Sequence, residues 1–97
     1  MYIYCVTLEW DDTKRKWTLA ERGLDFASIA SVDWTLALTV EDNRSDYAEQ
    51  RFVTVAPIRG RLCVFAWCWR GDAMRIISLR KANDRERKRY AKALDRP

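Results

Sequence analysis

RLCVFAWCWR, residues 61–70, sets the plan of the molecule. Alternation places Leu62, Val64, Ala66 and Cys68 on one side of an extended chain and Cys63, Phe65, Trp67 and Trp69 on the other. A strand that is apolar on both sides must be covered on both. It therefore belongs at the centre of a sheet, with helices over at least one face. Trp67 and Trp69, beside Phe65, read as core; the competing reading makes them a platform for stacked bases. The segments around this strand share its period of two. Thr35–Val40, Arg51–Ala56 and Ala73–Leu79 read as further strands. They are parted by a polar loop, Glu41–Gln50, and by turns at Pro57-Ile58-Arg59-Gly60 and Arg70-Gly71-Asp72.

Upstream, Tyr2–Trp10 reads as a first strand. Asp11 or Asp12 can cap a helix running to Arg22, which Gly23 would close in a left-handed conformation. Trp17, Ala20 and Leu24 form its apolar stripe, and Phe26–Trp34 suggests a second, shorter helix. Downstream, Asn83-x-x-Glu86 is a capping box that opens a helix to about Leu94. Only Tyr90, Ala93 and Leu94 anchor that helix. The expected order is β-α-α-β-β-β-β-α. This is an α+β fold, with a mainly antiparallel sheet of four to five strands, two N-terminal helices and a C-terminal helix, in one domain over residues 1–97.

The 97 residues include no His, which excludes His acid–base catalysis, Ser-His-Asp systems and metal sites built on imidazole. Cys5, Cys63 and Cys68 are odd in number and lack C-x-x-C spacing, so they read as small buried thiols and not as a disulfide or zinc framework. No signal peptide or membrane-spanning run is visible, so a cytoplasmic protein is expected. Charge is uneven. Residues 1–69 hold 8 basic and 10 acidic side chains, whereas residues 70–97 hold 10 basic and 4 acidic ones. On the last helix Arg85, Lys88, Lys92 and Arg96 share a face, with Arg89 at its margin. A polyanion, RNA or DNA, would meet the chain there.

Three blocks together resemble the BrnT family of bacterial type II toxins. The first is Glu9-Trp10-Asp11 with Lys14, Gly23 and Phe26. The second is Glu49-x-Arg51-Phe52. The third is Arg75-Ile76-Ile77-Ser78-Leu79-Arg80-x-Ala82, followed by Glu86 and Tyr90. The resemblance implies a RelE-like ribonuclease fold, an RNA substrate (mRNA, free or on the ribosome) and no cofactor. It also implies a ribbon-helix-helix antitoxin, with operator DNA bound only through the toxin–antitoxin complex. The family usually has Lys-His-Gly where this chain has Glu21-Arg22-Gly23, so any role of that His passes to Arg22, which cannot act as a base at neutral pH.

Metal-free RNA cleavage needs a base, an acid and cations around a pentacoordinate phosphate. Arg75, Arg80, Tyr90 and Arg22 are the catalytic candidates; Lys14, Arg51, Arg85, Lys88, Arg89 and Lys92 are candidates for holding RNA. Arg forks suit phosphate because they engage two oxygens at once. Each candidate also has a plain reading: surface charge for Arg75 and Arg80, a helix anchor for Tyr90, a solvated face for Lys14 and Arg22. Arg75 and Arg80, five apart on one strand, face opposite sides of a regular sheet. They share a site only where the strand ends or bulges. The alternative function is a binding module, a decayed family member that holds nucleic acid or antitoxin without cleaving.

Overall fold

The computed structural model describes residues 7–43 and 49–94. Its elements are β1 (Thr7–Trp10), α1 (Asp12–Arg22), two 3-10 turns (Phe26–Ser31 and Trp34–Leu36), β2 (Leu38–Glu41), β3 (Arg51–Ile58), β4 (Arg61–Arg70), β5 (Ala73–Lys81) and α2 (Asp84–Leu94). The expected strand over Tyr2–Val6, Cys5, the loop around Tyr47 and Arg96 lie outside the described residues. The sheet order is β1-β5-β4-β3-β2, with β4 in the middle. β1 runs parallel to β5, and every other pairing is antiparallel. Among the described residues no helix is long and apolar enough to cross a membrane.

The odd-numbered side of β4 carries the main core. Cys63, Phe65 and Trp67 pack there with Met74, Ile76 and Leu79 of β5 beneath Phe26 and Ile29 of the first 3-10 turn. Trp10 meets Phe26 edge-on at 6.4 Å, Trp34 meets Phe65 at 6.0 Å, and Phe52 stacks on Trp67 at 4.8 Å. One polar group is accommodated inside. The wholly buried Thr54 hydroxyl accepts a bond from the Trp67 indole N–H at 2.9 Å and shares another with the Thr39 hydroxyl at 2.8 Å. Thr54→Val keeps the shape but strands the indole N–H, which costs roughly 1–3 kcal/mol. Urea unfolding should show that loss as a lower midpoint with an unchanged slope.

Local chemistry explains where expectation and structure part. Phe26–Trp34 is two 3-10 turns and not one α-helix. Asp25 and Asp33 each cap a short turn, and the Ser28 and Ser31 hydroxyls bond the carbonyls three residues back, at 2.6 and 2.7 Å. Side chains that compete in this way for backbone groups disfavour a continued helix. Thr35 and Leu36 are thereby taken from the expected strand over Thr35–Val40. β3 extends through Pro57 and Ile58, because the turn is only Arg59-Gly60, with φ of 52° and 79°. That two-residue geometry matches the twist of the flanking strands.

α1 is rotated from its expected stripe. Arg15 grips Asp25 at 2.7 and 3.1 Å and stacks 5.1 Å from the Trp10 ring, which turns Thr18 inward. Trp17, 53% exposed, lies outside under the Arg22 guanidinium. Trp69, expected in the core, is 43% exposed near the end of β4, edge-on to Trp67. At the other terminus the capping box forms as expected. Asn83 N–H donates to Glu86 at 2.9 Å, and Glu86 N–H donates to the Asn83 side chain at 2.8 Å. α2 buries no residue fully, and Leu94 is exposed, so its anchor is thinner still than expected.

Candidate functional site

Two of the arginine candidates share a face because of one extra residue. Across the β4–β5 ladder Ala66 pairs with Ser78 but Trp67 pairs with Ile76, leaving Ile77 unopposed. A bulge of this kind resets which side each following residue faces. Arg75 then lies opposite Cys68, and Arg80 lies opposite Val64. Both stand on the even-numbered side of β4, away from Phe65 and Trp67. Glu9 of β1 pairs with Arg75, and Arg51 of β3 pairs with Cys68, so Glu9, Arg75 and Arg51 fall in one row across that face. Arg70, opposite Ala73, joins them. Four β4 positions separate the levels of Arg75 and Arg80, about 14 Å at 3.4 Å per residue, which suits two different phosphates along a chain.

Three of these forks, those of Arg80, Arg75 and Arg70, meet a carboxylate. Arg80 holds Glu86 through two parallel bonds of 2.8 Å each and also reaches the Lys81 carbonyl at 3.2 Å. Arg75 meets Glu9 at 3.3 Å, and Arg70 meets Glu49 at 3.3 Å. The Arg80 guanidinium, opposed by partial burial and helped by the Asn83 N–H, holds the Glu86 carboxyl down at about 2. Glu86 is therefore ionised throughout the neutral range and serves as cap and tether, not as a base. A depressed carboxyl contributes stability above its ordinary value and loses it as pH falls toward 2. Arg80 is nearly half exposed, so solvent screening leaves roughly 1 kcal/mol. Acid titration of the parent against Glu86→Gln should show the parent's advantage present at pH 6 and gone near pH 2.

The remaining candidates are elsewhere. The Tyr90 hydroxyl donates to the Leu36 carbonyl at 2.6 Å and so ties α2 to the second 3-10 turn. Burial and the charge of Asp33 push its ionisation upward, keeping the proton on. Arg22 donates to the Leu79 carbonyl at 2.8 Å. That carbonyl lies beyond the stretch of β5 that pairs with β1, so Arg22 caps a strand edge one residue from Arg80. Lys14 is exposed on the first turn of α1, in the helical layer. Arg85, Lys88, Arg89 and Lys92 are exposed on α2.

Arg70 was not among the residues expected in the site. Its even number on β4, shared with Ala66 and Cys68, was the signal available for it. Glu9 gave no local signal of facing Arg75, because its partner is 66 residues away. Among the described residues no group of three or more His, Cys, Asp or Glu could hold a metal ion.

Comparison with known proteins bears on the fold and the family. The family model described as "Ribonuclease toxin, BrnT, of type II toxin-antitoxin system" matches residues 10–86, which include Glu9's neighbour Trp10 at one end and Glu86 at the other. The 1.1 Å crystal structure of the Brucella abortus ribonuclease toxin BrnT superimposes with a TM-score of 0.61 at 24% identity. The alignment covers 81% of this chain and 99% of that one. No curated protein sequence matches significantly. The α+β architecture is thus shared with a solved BrnT structure, and with most of its length matched the chain belongs to the BrnT ribonuclease toxin family of type II toxin–antitoxin systems.

Proposed function

We propose that this chain, as a single toxin domain, cleaves mRNA without metal in the cytoplasm. It thereby halts translation and growth until a ribbon-helix-helix antitoxin covers it, and operator DNA is met only by that complex. The observation that carries this reading is the Ile77 bulge, which puts Arg75 and Arg80 on one face of the sheet. The neighbouring 2′-hydroxyl attacks the phosphorus and the 5′-oxygen leaves, giving a 2′,3′-cyclic phosphate and a 5′-hydroxyl end. Arg80 stabilises the dianionic transition state. Its paired bonds to the Glu86 carboxylate have the geometry with which it would take two phosphate oxygens, Glu86 giving way. Arg75, with Arg51 beside it, holds another phosphate of the chain. Arg85, Lys88, Arg89 and Lys92 draw the polyanion in, as does Lys14 from the helical layer. Arg22 and Tyr90 act at one remove, Arg22 by holding the β5 edge beside Arg80 and Tyr90 by holding α2.

Binding without cleavage is the second reading, and Arg22 favours it. It stands where the family usually has His, it cannot serve as a base, and the Leu79 carbonyl engages it. Isolated mRNA incubated with the protein in EDTA, followed by mapping of 5′ ends, separates the two. New 5′-hydroxyl ends support the proposal. Cleavage only after a divalent ion is restored removes metal independence. Intact RNA, with binding that weakens by a log–log salt slope near −0.7 per phosphate, establishes the binding module.

A further inference from the structure

Among the described aromatic residues Trp17 is the most exposed, at 53%. Its ring is nevertheless held in place. The Arg22 guanidinium lies over it, 5.1 Å from the centroid, and the same guanidinium donates to the Leu79 carbonyl at 2.8 Å. With one face taken by Arg22, the exposure falls on the other face and the rim. These contacts set the ring no more than about 11 Å from the Leu79–Arg80 peptide. The sheet is open there. β1 stops pairing at Ile76, so residues 77–81 of β5 form its edge among the described residues. Arg80 stands on one side of that edge and Trp17, on α1, belongs to the helical layer on the other. Lys81, opposite Cys63, and Arg61 are exposed on the helical side as well. On α1 itself Lys14 and Glu21 lie one turn to either side of Trp17, and their charges offset each other. What this position offers a ligand is a flat, fixed π-face beside a phosphate-binding arginine.

We propose that Trp17 stacks one base of a single-stranded RNA substrate, in a nucleotide close to the one whose phosphate Arg80 holds. This rests on the ribonuclease reading above. The strand passes from the Arg75–Arg80 face over the open β5 edge, and the base, Trp17 and Arg22 form one stack. Every base has a π-face, so the contact accepts any base and adds affinity without reading sequence. Arg22 behind the ring contributes a cation–π interaction and keeps the indole from swinging away. Paired bases are already stacked on one another, so the contact favours single strands over duplex.

The test uses a short single-stranded RNA methylated at every 2′-oxygen, which the intact protein can bind but cannot cleave through a cyclic phosphate. A strand of the same length built of abasic sites serves as its control. Trp17→Ala and Trp17→Leu should each bind the methylated strand about tenfold more weakly than the parent, the usual worth of one stacked base, while Trp17→Phe keeps most of the affinity. The loss should be equal at every salt concentration, because no phosphate contact is removed. Arg80→Ala should instead make the salt slope shallower by about 0.7. On the abasic strand the parent and all three Trp17 variants should bind alike. With cleavable RNA, Trp17→Ala and Trp17→Leu should raise KM about tenfold at unchanged kcat. Thermal midpoints near the parent's are expected, since the ring is exposed. Parental affinity in the folded Ala and Leu variants overturns the proposal. An equal loss on the abasic strand also overturns it, since Trp17 would then act only as a prop for Arg22. A parent that does not bind the methylated strand removes this proposal and the RNA reading together. Trp17-dependent binding by a protein that cuts no RNA removes the ribonuclease reading and leaves the stack.

Discussion

Arg80→Ala is expected, on the proposed mechanism, to lower the rate of RNA cleavage by about 10²–10³, with the fold intact. That is the usual cost of deleting one donor aimed at charge that develops in a transition state. The loss should fall mainly on kcat, because the fork's two bonds gain strength as the phosphate becomes a dianion. Arg80→Lys should recover only part of it, since an ammonium restores charge but not two parallel bonds. The fold should survive because Arg80 is nearly half exposed and its pair with Glu86 is a surface contact, while the cap between Asn83 and Glu86 does not depend on it. Circular dichroism and the thermal midpoint check that point. Equal cleavage by parent and Arg80→Ala would take Arg80 out of the site and leave the Arg75, Arg51 and Arg70 row as the place to look.

Phe65→Ala should be the most damaging change to the fold, costing about 3–5 kcal/mol. Phe65 is wholly buried on the central strand, edge-on to Trp34 and clustered with Phe26 and Ile29 above it and Leu79 beside it. The helical layer over it is two 3-10 turns, short elements that cannot slide as a unit to refill a cavity. Domains of this size have about 5–15 kcal/mol in total, so the variant loses a large share of its stability. A fall in the thermal midpoint of roughly 15 °C or more is expected, with cleavage at low temperature largely retained. A loss under 1 kcal/mol would mean that the layer over β4 repacks freely.

The two variants probe parts of the chain that were unequally legible. The strand that Phe65 occupies announces itself, because an apolar run with bulky residues at every second position fits only a central strand. The caps at Asp11, Gly23 and Asn83 are equally local, since each is a contact within four residues, and all three form as expected. The site is different. Ile77 looks like any other strand residue, and nothing in its neighbours says that it will be the one left unopposed. A bulge is a property of two strands in register, so it exists only once β4 and β5 pair. Its effect is large, because it turns two arginines that a regular strand would hold back to back into members of one face.

The same distinction explains α1. Trp17, Ala20 and Leu24 read as the apolar side of this segment, and of the three Leu24 does pack against the core, but with Arg15 reaching Asp25 and stacking on Trp10 the helix turns Thr18 inward and leaves Trp17 and Ala20 exposed. Periodicity weighs transfer from water one residue at a time and cannot weigh an ion pair to another element. Local order along the chain therefore carried the strand and helix plan, the central strand, the caps and the family resemblance, for these depend on neighbours a few residues apart. Strand register, helix rotation and the pairing of Glu9 with Arg75 were settled in three dimensions, because each is a contact between segments whose separation in sequence carries no information about their meeting in space.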